Sequence, residues 1–203
     1  MGGASASSSS QDDDGERMME VLTEMDLSRN DIGTDGMKGL APFFKKTPAL
    51  EVLDISSNAL FAHGVKALMD AIKFETPIKD LNLSWCYARA FGAEHIGDFL
   101  RFNTTIRNLD LRSNEMKDDG LILLARAFKA FEGSKLNDLN LENNMAEDKG
   151  ICNFAQALKN NPSAAPRMLR VSHNYHSQAA RVALDEARDF IYDMAGIDME
   201  MWY

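Results

Sequence analysis

Apolar and polar positions recur along the chain in one fixed order. An aliphatic residue stands at the first, fourth and sixth positions of a short segment, and an asparagine closes it three residues later, as in Leu22, Met25, Leu27 and Asn30. The spacing returns at Leu50, Leu53, Ile55 and Asn58, at Ile78, Leu81, Leu83 and Cys86, and at Ile106, Leu109, Leu111 and Asn114. Two more copies follow, Leu136, Leu139, Leu141 and Asn144, then Pro166, Leu169, Val171 and Asn174. The closing residues lie 28, 28, 28, 30 and 30 positions apart. Within each segment the period is two, so Leu53 and Ile55 face one way and Asp54 the other, as a strand requires.

After each closing residue the spacing changes. Gly36, Gly64, Gly92, Gly120 and Gly150 stand six positions on, with Ala180 in the last copy. Leu40 and Phe44, Leu68 and Ile72, Ile96 and Leu100, Leu124 and Phe128, and Phe154 and Leu158 follow at ten and fourteen, a separation that places each pair on one helix face. Each unit therefore predicts strand, turn, helix and return loop. One such unit cannot close a core. Six stacked in parallel bury a continuous aliphatic ribbon between strands and helices.

The pattern L-x-x-L-x-L-x-x-N/C over roughly residues 20 to 195 resembles the leucine-rich repeat. Its period, and the stretch Asn30-Asp31-Ile32-Gly33-Thr34-Asp35-Gly36 followed by Leu40-Ala41, are similar to the ribonuclease-inhibitor-like class. The resemblance implies an α/β solenoid arc of six units, with a parallel sheet on the concave face and helices on the convex face. It also implies protein binding without turnover, by a cytosolic adaptor or scaffold.

Composition divides the chain into three parts. Residues 1–17 are Gly, Ala, Ser and acids, which cannot repay their ordering entropy by burying apolar surface, so a flexible acidic tail is expected. Residues 18–195 form the repeat domain. Residues 196–203, Gly-Ile-Asp-Met-Glu-Met-Trp-Tyr, are expected to fold over the last unit as a cap or to serve as a linear docking peptide. Cys86 and Cys152 lie two units apart, in a strand-end turn and a helix, and no bridge between them is expected.

Charge narrows the function classes. The 203 residues carry 22 Lys and Arg against 31 Asp and Glu, a formal net charge of -9, which opposes binding to duplex nucleic acid. No apolar run approaches the roughly 18 residues of a membrane span, and the N-terminus lacks a secretory pattern, so a cytoplasmic or nuclear location is expected without membrane insertion. No phosphate loop, dinucleotide fingerprint, nucleophile elbow or zinc helix occurs. His63, His95, His173 and His176 do not form a ligand set with the two cysteines. The expectation is a non-enzyme with no cofactor and no metal, present as a monomer or as a subunit of a larger complex.

What remains is the outward strand face. Its central stripe reads Asp26, Asp54, Asn82, Asp110, Asn140 and Arg170, spaced at about 4.8 Å from strand to strand. Short polar residues are common there in this repeat class, but the stripe could also accept hydrogen bonds from a partner. Trp85, a large aromatic on an exposed strand face, marks the expected contact, with Lys79, Arg107 and Arg112 as its charged neighbours. Packing of Trp85 under the Tyr87–Phe91 loop is the alternative. Two other readings of the chain stand beside the adaptor. One is a GTPase regulator resembling the Ran GTPase-activating proteins, with Arg29 or Arg112 as charge donor. The other is a structural subunit of a ciliary or cytoskeletal assembly that makes its contacts through the open ends.

Overall fold

Each alternating triplet forms a three-residue strand: β1 (Glu24–Asp26), β2 (Val52–Asp54), β3 (Asp80–Asn82), β4 (Asn108–Asp110), β5 (Asp138–Asn140) and β6 (Met168–Arg170). The helices lie between them: α1 (Thr34–Phe44), α2 (Phe61–Ile72), α3 (Arg89–Leu100), α4 (Lys117–Phe128), α5 (Asp148–Asn160) and α6 (Gln178–Ala195). The computed structural model describes residues 21–203 apart from 75 and 132, so the expected acidic tail at 1–17 lies outside the described residues. All strands run parallel in chain order, and Leu53, Leu81, Leu109, Leu139 and Leu169 are register partners that stack inside the core.

The closing asparagines hold the stack together. Asn114 lies fully buried; its Nδ2 donates to Leu111 O at 3.0 Å in its own unit and to Leu83 O at 2.8 Å in the unit before. Its Oδ1 accepts from the backbone N–H of Cys86 at 3.2 Å and of Ala88 at 3.0 Å. Asn144 and Asn174 repeat the arrangement one and two units on, and Asn58 donates in the same way to Leu27 O and Ile55 O. A turn that runs through the interior thereby satisfies backbone groups that no strand or helix pairs.

Glycine at the helix start answers a different need. A Cβ on Gly150 would lie 2.8 Å from the Cα of Asp118, so successive helices can begin this close only without a side chain there. Asp118 also caps α5, its Oδ1 accepting from Glu147 N at 2.8 Å and Gly150 N at 2.9 Å.

The sheet has one strand more than the six units predict. α6 stops at Gly196, whose φ of 66° is the left-handed conformation of a helix C-cap, and the chain turns back. β7 (Glu200–Trp202) then pairs parallel with β6, Leu169 opposite Met201. Met199 reaches the core with 2% exposure, and Val171 N donates to Trp202 O at 2.8 Å. The segment has no closing Asn and no complete template, so the repeat spacing passes over it; its Met-x-Met alternation supplies the inward residues.

Candidate interaction surface

The stripe Asp26, Asp54, Asn82, Asp110 and Asn140 does the same work five times. The Oδ1 of each accepts from the backbone N–H two residues on: Ser28 at 2.8 Å, Ser56 at 2.9 Å, and Ser84, Arg112 and Glu142 at 3.0 Å. A short side-chain acceptor two residues before a turn stabilises it, so the turn itself accounts for the residue type. The second oxygen of each aspartate remains for other partners. Asp54 Oδ2 accepts from Asn82 Nδ2 at 2.8 Å, and Asp110 Oδ2 lies 3.3 Å from Arg112 Nε. Burial raises the pKa of Asp110; the Arg112 N–H and guanidinium oppose the shift, and the Asp138 and Glu142 carboxylates add to it.

Arg170 breaks the series. Its Nη2 donates to Asp138 Oδ2 at 2.6 Å, and its guanidinium lies 5.5 Å from the Trp202 ring. Toward this end the surface forms a recess of about 780 Å³, where Asp138, Arg167, Arg188 and Glu200 meet. A shallower one of about 180 Å³ lies over Asp54, Asn82 and Asp110.

The expected charged neighbours of Trp85 separate into two groups. Lys79 and Arg107 precede their strands while Trp85 and Arg112 follow theirs, so a three-residue strand of about 10 Å and the start of a turn separate Lys79 from Trp85. Lys79 pairs with Glu51 at 2.6 Å, and Arg107 Nη1 donates to Thr105 O at 2.7 Å. Only Arg112 stays beside Trp85, its carbonyl accepting the Trp85 N–H at 3.1 Å.

Trp85 stands exposed in the turn that follows β3. It is 52% exposed, with φ of 59°, and the same position in the other units has φ of 52° to 59°, at Arg29, Ser57, Ser113, Asn143 and His173. The left-handed turn belongs to the repeat. A tryptophan there bears a backbone cost of about 1 kcal/mol. Phe61, Tyr87 and Phe91 are exposed nearby in sequence, and Phe61 stacks on Tyr87 with centroids 5.7 Å apart. Phe61 N donates to Cys86 O at 3.0 Å, which brings the second unit's aromatic to the third unit's turn. Sequence reasoning named the Tyr87–Phe91 loop only as a cover for Trp85 and missed Phe61, because it counted only strand positions; the signal was aromatics one, three and five residues after the closing residue.

Residues 20–41 and 102–125 match the family described as Leucine Rich repeat. These two segments are leucine-rich repeats. No curated protein matches the chain. Among solved structures, this chain is similar to leiomodin-1 actin-binding site 2 with a TM-score of 0.58 and 19% identity, over 78% of this chain and 89% of that one. It is also similar to the C-terminal domain of tropomodulin from Caenorhabditis elegans, with a TM-score of 0.54 and 14% identity, over 89% and 93% of the two chains. At such identities the likeness is one of fold. Among the described residues no group of three or more His, Cys, Asp or Glu gathers as a metal set, and no helix is long and apolar enough to cross a membrane.

Proposed function

We propose that this protein is a non-catalytic interaction module of the cytoskeleton and that its first partner is actin. The observation that carries the binding role is Trp85, held half in solvent at a backbone cost, with the stacked pair Phe61 and Tyr87 and the exposed Phe91 close by in sequence. Arg112 and the second oxygens of Asp54 and Asp110 supply polar contacts beside it, and Asn82 and Arg170 continue them along the sheet, whereas Asn140, expected on this face, is buried at 6% exposure. The fold likeness to a segment named actin-binding site 2 supports actin as the partner to try first.

The test is co-sedimentation of the purified full chain with actin filaments, together with a gel-shift on monomeric actin. Wild type is expected to bind at least one form, and Trp85→Ala with Phe91→Ser to weaken that binding about tenfold or more. Absence of binding to both forms would remove actin. Equal binding by the folded double variant would remove the aromatic edge. Stimulation of GTP hydrolysis by a small GTPase would move the role to a regulator.

A further inference from the structure

The two edges of the arc differ in charge. The six connections that lead from a helix to the next strand, residues 45–51, 73–79, 101–107, 129–137, 161–167 and 196–199, carry nine Lys and Arg against three Glu and one Asp. The six connections from a strand to its helix carry two Arg against four acids, and the whole chain is acidic. Basic residues are thus gathered on one edge of a protein whose net charge is -9.

Helix dipoles explain only part of this. Lys45, Lys73, Arg101 and Lys129 directly follow helix ends, where a cation is favoured. Lys79, Arg107 and Arg167 stand directly before a strand and Lys135 three residues before one, all beyond the last helical turn to which that effect is confined. Three connections, 73–79, 101–107 and 129–137, thus carry a second cation beyond the one the dipole accounts for.

Two phenylalanines lie in its middle. Phe74 is 76% exposed and Phe102 55%, on adjacent units, with ring centroids 6.2 Å apart. Lys73 Nζ lies 4.3 Å from the Phe102 centroid and 5.5 Å from that of Phe74, and the Arg101 guanidinium lies 5.7 Å from Phe102. Cations over ring faces hold the pair in place while its outer surface stays open to solvent. No core contact explains these residues, and large aromatics left this exposed mark contact surfaces.

From the charge and this aromatic pair we infer that the helix-to-strand edge docks an acidic segment of a partner protein, with an apolar side chain seated on Phe74 and Phe102. Adjacent helices stand about 10 Å apart, close to the reach of three extended residues, so acids at every third position would meet successive units. A short segment can confine its charge to this edge. A duplex or an anionic bilayer would extend onto the acidic strand-to-helix side and meet repulsion there. The inference stands apart from the turn-edge aromatics and does not depend on actin.

The test is a selection of random twelve-residue peptides on the full chain, followed by fluorescence anisotropy of the selected peptide. Enrichment of sequences with Asp or Glu at about three-residue spacing and at least one apolar residue is expected. Phe74→Ser with Phe102→Ser, and separately Lys73→Glu with Arg101→Glu, should each weaken that peptide about tenfold or more, and Trp85→Ala should leave it unchanged. Raising salt from about 50 to 200 mM should weaken wild-type binding. Selection of neutral or basic sequences, or unchanged affinity in both double variants when circular dichroism shows them folded, would overturn the inference. So would binding of a single-stranded oligonucleotide or phosphatidylserine vesicles through these residues with no acidic peptide selected.

Discussion

The sulfur of Cys86 donates to the carbonyl of Ile55 across the boundary between the second and third units, at 3.4 Å. Asn114 makes the equivalent bond one unit on at 2.8 Å, and its Oδ1 accepts two more N–H groups that a thiol cannot serve as well. Leu60 N, the counterpart of Ala88 N, turns instead to Asn58 O at 2.7 Å. The ladder is weakest at this one rung.

Cys86→Asn should therefore stabilise the protein. The new amide would bond Ile55 O and Leu83 O and accept from Asn58 and Leu60, a gain of about 1 kcal/mol, or roughly 2 to 4 °C in Tm. Thermal unfolding checks it, and a lower Tm would show that the pocket is shaped to sulfur. In the wild-type fold burial pushes the Cys86 thiol up to about 12, with the Asp54 carboxylate adding and the Asn58 N–H opposing. A haloacetamide at mild alkaline pH should accordingly label only the half-buried Cys152 in the native protein.

The repeat was legible because its cause is local: Leu109 and Leu111 inside, Asp110 outside and Asn114 turning the chain are dictated within one unit and copied. β7 was not, because Met199 and Met201 form a strand only where β6 already offers an edge. The Trp85 patch was half legible. An exposed aromatic could be read from its position, but which neighbours surround it depends on how far a three-residue strand separates Lys79 from Arg112. Nor does strand alternation show that Asp26, Asp54 and Asp110 use one oxygen each on their own turns.

Met199→Ala should cost about 2 to 4 kcal/mol, because it opens a cavity under the last strand. Urea unfolding gives the magnitude. The loss should be accompanied by exposure of the β6 edge, read as faster amide exchange at Val171, whose N–H bonds Trp202 O. A cost below about 1 kcal/mol would mean that β7 contributes little to the fold.

His176 occupies the core-facing turn position that Leu60, Ala88, Met116 and Ala146 fill in the other units. Burial lowers its pKa below the ordinary 6.5, the Arg181 charge lowers it further, and the Asp148 carboxylate opposes both. The neutral ring is thus favoured in the folded state. Its stability contribution is complete above about pH 6.5, where unfolded and folded imidazole are both neutral, and is lost as pH falls through the folded-state value. His176→Leu should raise stability between about pH 5 and 6 and flatten the pH dependence in that window. Equal slopes for wild type and variant would show that another group is responsible.

Trp85 separates stability from binding in one substitution. Its left-handed conformation is set by the turn, and Asn143 adopts it in the fifth unit with φ of 52°. Asn tolerates that region far better than Trp does. Trp85→Asn should therefore leave the fold unchanged or stabilise it by up to about 1 kcal/mol, while removing the largest exposed ring of the turn edge. If the ring is a contact residue, the same variant should bind its partner about tenfold more weakly. Denaturation and a binding titration on one protein sample give both signs. Destabilisation by more than about 1 kcal/mol would instead make Trp85 a packing residue of the turn, and the functional case for the turn edge would then rest on Phe61, Tyr87 and Phe91.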